Sequence, residues 1–286
     1  MAATFNLYQE TLIGDRAFNY GDGCFTTMLC VDQNIQLLAY HLARLEHDTC
    51  KLRIPFTATD KTALSAALSD ISSKLHHGII KIHISRGTGG RGYGVSGVSA
   101  PNITLTQHTI PPHFSEPVSL SIASFPISRQ PALAGTKHIS RVEQVLFKCC
   151  AEELGTTDVI CLDEFQHVIE TSSANLFWYK DNQWFTPDLN DSGVAGTFRA
   201  CILDTLDTAG AACQVGSFPL SALLAAESVF MCNAVRGIVR VDKVIVHEDP
   251  VVNATAVKEC TRSIEFDNSA VSILQNQVAL FLATHS

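Results

Sequence analysis

Ile80, Ile82 and Ile84 alternate with Lys81, His83 and Ser85. This period of two predicts a half-buried strand over 79–86. The same alternation returns in "NITLTQHTI" (102–110) and "VSLSIASF" (118–125). "NYGDGCFTTMLCVDQNIQLL" (19–38) predicts two strands that turn near Asp32-Gln33-Asn34. Helical periods appear elsewhere. The segment 37–52 places Leu38, His41, Leu42, Leu45 and Cys50 near one stripe. A second amphipathic helix is predicted over 59–75, with Thr59 as its N-cap. A third covers 140–155, with Val142, Val145, Leu146 and Cys149 inward and Gly155 as the stop. "DVICLD", "HVIETSSANLFWYK" and "QWFTP" predict a sheet meander, and 228–241 a strand, a turn and a strand. Further helices are predicted at 196–210 and 268–284.

The prolines of "PPHFSEP" (111–117) interrupt both periods. They suggest a small N-terminal α/β domain over 1–108, a linker at 109–117 and a larger domain over 118–286. Mixed runs of strands and helices in this order predict an α+β fold.

Composition narrows the function classes. Hydrophobic residues make up 46% of the 286 residues and charged residues 17%, enough for a sizeable core. The net charge of −8 leaves no basic excess to neutralise phosphates, so no nucleic-acid partner is expected. No apolar run reaches the roughly 18 residues of a membrane helix, so no membrane partner is expected either. Ten scattered cysteines without C-x-x-C, and a start "MAATFNLYQE" without signal-peptide features, predict reduced thiols in a cytoplasmic protein. The histidines show no ligand spacing. His76-His77 and the pair His41/His47 read as surface or helix-face residues, and no metal is expected.

Six features are candidates for chemistry. "RGTGGRGYG" (86–94) contains G-x-G-x-x-G, but the turn-rich, proline-broken sequence after it does not open a helix. The simpler reading is a tight loop whose backbone approaches something closely, with Arg86 and Arg91 placed for a carboxylate. Lys137, in "AGTKHISRVEQVLFK", is either an exposed lysine or a buried amine made more nucleophilic by desolvation. Glu170 alternates with apolar residues, so it is an outward acid or a buried partner for a cation. Gly196 and Thr197 stand at a helix N-terminus, where free N–H groups suit a phosphate. Asn233 is a turn residue or a site residue, and Arg44 is a helix arginine, normally solvated.

Taken in order, "DRAFNYGDGCFTT", "HLARL", "ISRGTGGRGYG", "AGTKHISRVEQVL", "VIETSSANLFW", "GVAGTFR" and "ESVFMCNAVRGIVRV" resemble the fold-type IV pyridoxal-phosphate enzymes. That family holds the branched-chain and D-amino-acid aminotransferases and aminodeoxychorismate lyase. The resemblance implies a two-domain fold like that of D-amino-acid aminotransferase, with pyridoxal 5'-phosphate as cofactor. Lys137 matches the Schiff-base lysine, in the larger domain. Glu170 matches the acid on the pyridine nitrogen, and Arg44 a phosphate-binding arginine. Gly196-Thr197 and Asn233-Ala234 match the rest of the phosphate cradle. Ala234 replaces a hydroxyl residue of many relatives, and Arg240 stands where proline is common.

"SRGTGGRGYG", "AGTKHISRVEQVLFK" and "YGDGCFTT" resemble the lyase branch more than the aminotransferases. The branch implies 4-amino-4-deoxychorismate as substrate and 4-aminobenzoate, a folate precursor, and pyruvate as products. Lys137 would remove the proton and enolpyruvate would leave. Thr27 matches a threonine that assists the leaving pyruvate, and Arg91 and Arg86 substrate-carboxylate arginines. Transamination is the alternative within the family, and a non-catalytic cofactor-binding protein the one outside it. The family also implies a homodimer.

Overall fold

The computed structural model describes residues 4–7, 13–98, 100–112, 118–247 and 262–285. Part of the expected linker, 113–117, lies outside the described residues. The chain divides into two compact units. One comprises the residues up to Pro112 together with Thr136–Arg141, and the other the rest. The expected domains, 1–108 and 118–286, put Lys137 in the second. Its segment instead packs with the first, because its backbone bonds to the edge of a strand there.

The first unit contains β1 (Thr4–Leu7), α1 (Arg16–Tyr20), β2 (Gly23–Val31), β3 (Asn34–Ile35), α2 (Leu38–Lys51), α3 (Ala58–Lys74), β4 (His77–Ser85) and β5 (Asn102–His108). Its sheet runs β1-β5-β4-β2-β3, with β1 and β5 parallel and the other pairs antiparallel. Asp32 and Gln33 turn β2 into β3 at φ values of 48° and 65°, the left-handed pair that matches strand twist. Cys24, Met28 and Cys30 from β2 pack with Ile80, Ile82 and Ile84 from β4, and with Leu45, Leu64, Leu68 and Ile71 from the helices. The predicted alternation of β4 thus faces this core. Thr57, rather than Thr59, caps α3: its hydroxyl accepts from Asp60 N–H while the Asp60 carboxylate accepts from Thr57 N–H.

The second unit contains β6 (Ser119–Ile122), α4 (Val142–Glu153), β7 (Asp158–Leu162), β8 (Val168–Thr171), β9 (Asn175–Lys180), β10 (Gln183–Pro187), α5 (Thr197–Thr208), β11 (Cys213–Gly216), α6 (Leu220–Leu224), β12 (Ser228–Asn233), β13 (Gly237–Val241), β14 (Lys243–Val246), β15 (Arg262–Glu265) and α7 (Ser269–His285). The predicted meander is β7-β8-β9-β10, antiparallel throughout. It sits inside a sheet ordered β11-β10-β9-β8-β7-β6-β14-β15, with β12 paired to β9 and β13. Trp178, Leu176, Val229, Met231 and Val244 build its main core.

One helix faces the other way from its prediction. In α4 the buried residues are Phe147, Cys150 and Ala151, while Val142 is 70% exposed and Val145 and Leu146 are also exposed. Both faces carry apolar residues at helical spacing, so the period alone does not choose between them.

Candidate active site

Lys137 lies on a short stretch that continues the first unit's backbone pairing. Phe25 N–H donates to the Lys137 carbonyl at 2.9 Å, and Ile139 N–H donates to the Gly23 carbonyl at 2.8 Å. The Lys137 N–H donates to Asp48 Oδ2 at 2.9 Å. These bonds fix the backbone on both sides of Cα. The side chain then brings Nζ over the Phe25 ring, 4.7 Å from its centroid. An aromatic face accepts an ammonium without neutralising it.

The same ring carries a second amine. Lys81 Nζ lies 4.8 Å from the Phe25 centroid, and the His83 imidazole stacks on Phe25 at 5.6 Å. Lys81 is half-buried and has no acidic partner among the described residues, and burial lowers its pKa. An unpaired cation held partly out of water favours an incoming anion. Burial, with Lys81 and His108 adding to it, pushes His83 down to about 4, so it is neutral near pH 7. Thr27 stands opposite Lys81 in the β2–β4 register and shares a strand face with Phe25.

The opposite face of β2 presents Thr26 to α2. Arg44 donates through Nη2 to the Thr26 hydroxyl, and that hydroxyl lies 2.6 Å from His41 Nδ1. An arginine cannot accept, so Thr26 accepts from Arg44 and donates its own proton to His41. His41 is therefore neutral, with its proton on Nε2. Burial, then the charges of Arg44 and Lys137, lower its pKa well below the ordinary value. Burial pushes Arg44 down to about 10 while Asp48 opposes it, so Arg44 keeps its charge at neutral pH. Arg44 Nε and His41 Nε2 are buried without a hydrogen-bond partner among the described residues. A buried arginine donor without an acceptor is costly, and an anion would relieve it. Of the two expected readings of His41, surface or helix face, the second holds: it stands on the buried face of α2, within this network.

Arg86 is built into the scaffold. Its Nε donates to Asp22 Oδ2 at 2.8 Å, Nη1 to Arg53 carbonyl at 2.7 Å and Nη2 to Leu52 carbonyl at 2.8 Å. These three bonds tie Arg86 into the scaffold and leave one N–H on each terminal nitrogen for a carboxylate. Asp22 also accepts from Arg16 Nε at 2.8 Å. Burial alone would raise the Asp22 pKa, but the hydrogen bonds from Arg86 and Arg16 prevail and lower it. Arg16, 4% exposed, donates onward to the carbonyls of Gly92 and Gly94 at 3.1 and 3.2 Å. The group that the glycine loop approaches is therefore Arg16. At Gly90, φ is +74° and a Cβ would meet the Gly94 carbonyl and Arg16 Nη1, so glycine is required. Arg91, on this loop, is exposed and has no acidic partner among the described residues.

The second unit offers a different kind of site. Glu170, 4% exposed, accepts from Val194 N–H through Oε2 at 2.9 Å. It pairs across the β8–β9 hairpin with Asn175, whose Nδ2 donates to the Val194 carbonyl at 2.8 Å. These two residues hold the chain that leads into α5. Gly196 is the N-cap of α5 and has no side-chain cap, and a Cβ there would collide with Asn175 Oδ1. Thr197, 3% exposed, has a hydroxyl without a hydrogen-bond partner among the described residues. Uncapped N–H groups, the helix dipole and a buried hydroxyl form a place for an anion. Asn233 is a turn residue: its Oδ1 accepts from Val235 and Arg236 N–H at 3.0 and 2.9 Å. That leaves only backbone at Asn233-Ala234 for any ligand.

The first unit gathers Lys137, Arg44 and Thr27 around β2, with Arg91 on its own loop. Glu170, Gly196, Thr197, Asn233 and Ala234 belong to the second. Sequence reasoning missed Arg16, Asp48 and Lys81 as site residues, and placed His41 on a helix stripe without a role. A charged residue on an apolar helix stripe, as Asp48 is relative to His41 and Leu45, was the available signal.

The chain matches the amino-transferase class IV family over residues 23–244. It is 41% identical to an aminodeoxychorismate lyase from Vibrio harveyi over 247 residues, covering 84% of this chain and 89% of that protein. It is 32% identical to the crystal structure of 4-amino-4-deoxychorismate lyase from Pseudomonas aeruginosa, with a TM-score of 0.81 and 95% of each chain covered. The branched-chain amino acid aminotransferase of Escherichia coli shares the fold, with a TM-score of 0.77 over 95% of this chain and 89% of that one, at 21% identity. The expected α+β fold of the fold-type IV enzymes is borne out, and this chain belongs to the amino-transferase class IV family.

Proposed function

We propose that the chain is a pyridoxal-phosphate-dependent lyase that converts 4-amino-4-deoxychorismate to 4-aminobenzoate and pyruvate. The likeness to two lyases of that name, each over most of the chain, carries the reading. The side chains fit the cofactor. Among the described residues, Arg44 Nε in the first unit is a buried donor without an acceptor, a feature suited to an anion; in the second unit the Thr197 hydroxyl is likewise unpartnered and the N-cap of α5 has no side-chain cap. Glu170 would hold a proton on the pyridine nitrogen. When bound, the coenzyme supplies a Schiff-base carbonyl and an electron sink.

The chain's own residues would do the remaining work. Lys137 would bind the coenzyme covalently, and once displaced by the substrate amine it would take the proton from the carbon bearing nitrogen. Thr27, on the Phe25 face of β2, would donate a proton to the departing enolpyruvate. The substrate carries two carboxylates, and Arg91 and Lys81 are the unpaired cations offered to them. Aromatisation of the ring drives the elimination. Neutral His83 beside Lys81 would leave the local charge to the lysine.

We further infer a homodimer in the cytoplasm. The exposed apolar side chains of Val142, Val145 and Leu146 on α4 support self-association, which light scattering would test.

The deciding experiment supplies aminodeoxychorismate without any keto acid. Release of 4-aminobenzoate and pyruvate in equal amounts is the expected result. Product only with an added keto acid would make the chain an aminotransferase, and bound coenzyme with neither activity a non-catalytic relative.

A further inference from the structure

The described residues hold one cluster of metal-ligating side chains that the reaction does not use. Asp32 stands at the turn between β2 and β3, and His76 and His77 at the start of β4. His76 Nδ1 lies 3.6 Å from Asp32 Oδ1, and His77 Nε2 lies 3.4 Å from the same oxygen. One donor atom from each residue falls within 4.8 Å of the other two.

Those separations match a specific chemistry. A tetrahedral zinc ion with nitrogen and oxygen ligands near 2.0–2.2 Å holds its ligands about 3.4 Å apart. Two edges of such a tetrahedron are therefore already present, and the imidazole–imidazole edge closes by rotation about side-chain bonds. The backbones are tied together as well. Gln33 N–H donates to the His76 carbonyl at 3.4 Å, and His77 is in register with Val31, the residue before Asp32. The left-handed turn fixes Asp32 (φ 48°). His76 precedes the regular strand, so the two adjacent imidazoles escape strand alternation and face one carboxylate, with ring centroids 5.7 Å apart.

We propose that Asp32, His76 and His77 form a surface site for a divalent transition-metal ion, zinc. Two imidazoles and one carboxylate suit zinc, nickel or copper and disfavour magnesium and calcium, which prefer all-oxygen shells. All three side chains are more than half exposed, so water completes the coordination. The ion would pin the β2–β3 hairpin to the start of β4.

The test titrates coenzyme-loaded protein with zinc chloride by calorimetry. The expected result is one equivalent bound, weakened at least ten-fold in each of Asp32→Asn, His76→Ala and His77→Ala, and unchanged in His108→Ala. The exposed positions leave the fold intact, which circular dichroism checks. X-ray absorption on the one-equivalent complex should show imidazole nitrogen and oxygen neighbours without sulfur. Binding that persists in the three variants, or a sulfur shell from exposed Cys50 or Cys149, would overturn the proposal. So would the absence of binding tighter than in His77→Ala.

Discussion

The first unit concentrates several formal charges around its candidate site, whereas the second combines a helix end with a single charged side chain. Around β2 the chain buries or half-buries Lys137, Arg44, Lys81, Asp48 and two neutral histidines. Around the start of α5 it offers an uncapped helix end, one hydroxyl and one carboxylate. Charges out of water need compensation, and the first unit supplies it through specific partners: Thr26 for Arg44, Asp48 for the Lys137 backbone, Phe25 for two amines. The helix end instead leaves its first N–H groups and the Thr197 hydroxyl open, with a dipole that is fixed when the helix forms. Single side chains should therefore matter more in the first unit than in the second.

Lys137→Ala is the strongest challenge to that contrast. It should lower turnover by on the order of 1000-fold or more, with loss of the visible band of covalently bound coenzyme. Turnover near that of the unaltered protein would remove Lys137 from the chemistry. Next comes Arg91→Ala, which should lose roughly 2–4 kcal/mol of transition-state stabilisation in kcat/KM. A rate close to wild type would take Arg91 out of substrate binding.

On the proposed function, each unit's own part in coenzyme binding can be tested separately. Arg44→Ala should weaken coenzyme binding by about 100-fold, the scale of a charged hydrogen bond, and Thr197→Val by about ten-fold or less. Fluorescence titration with pyridoxal phosphate measures both, with thermal melts checking the fold. Equal losses would erase the distinction between the units.

The smallest effect concerns pH. His83 and His138 have pKa values lowered to about 4, chiefly by burial, and His41 is also lowered well below its ordinary value by burial and two cations. In the unfolded chain these imidazoles take up protons near pH 6.5. Their contribution to stability is thus complete above pH 6.5 and declines as pH falls toward 4. Hydrogen-exchange protection of β2 and β4 amides should fall between pH 7 and pH 5, more than that of β7 and β9. Equal decline in both units would show that these histidines do not set the difference.

Legibility in the sequence followed the same division. Period-two strands such as β4 and the meander β7 to β10 were readable, because one pattern had one solution. The stripe of α4 was not, since Phe147, Cys150 and Ala151 compete with Val142, Val145 and Leu146 at equivalent spacing. Lys137, Glu170 and Arg44 were named from motif order, not from their own surroundings. The partners of Arg86, the Leu52 and Arg53 carbonyls and Asp22, are distant in sequence and two of them are backbone, so no sequence pattern marks them. Lys81 reads in sequence as the polar half of a strand, and only the fold shows Phe25 beside it, with no acid partner among the described residues.

The placement of Thr136–Arg141 has a consequence for how the chain can be divided. The backbone changes unit after Pro112, after Gly135 and after Arg141. No single cut therefore releases a first unit that is both complete and free of the second. A fragment ending at 112 lacks the six residues that bond to β2 and Asp48, and one ending at 141 drags along 118–135. Recombination that exchanges whole units at one crossover would separate Lys137 from Arg44. The two units are in this sense a single heritable module, joined by a lysine that one contributes to chain order and the other to structure.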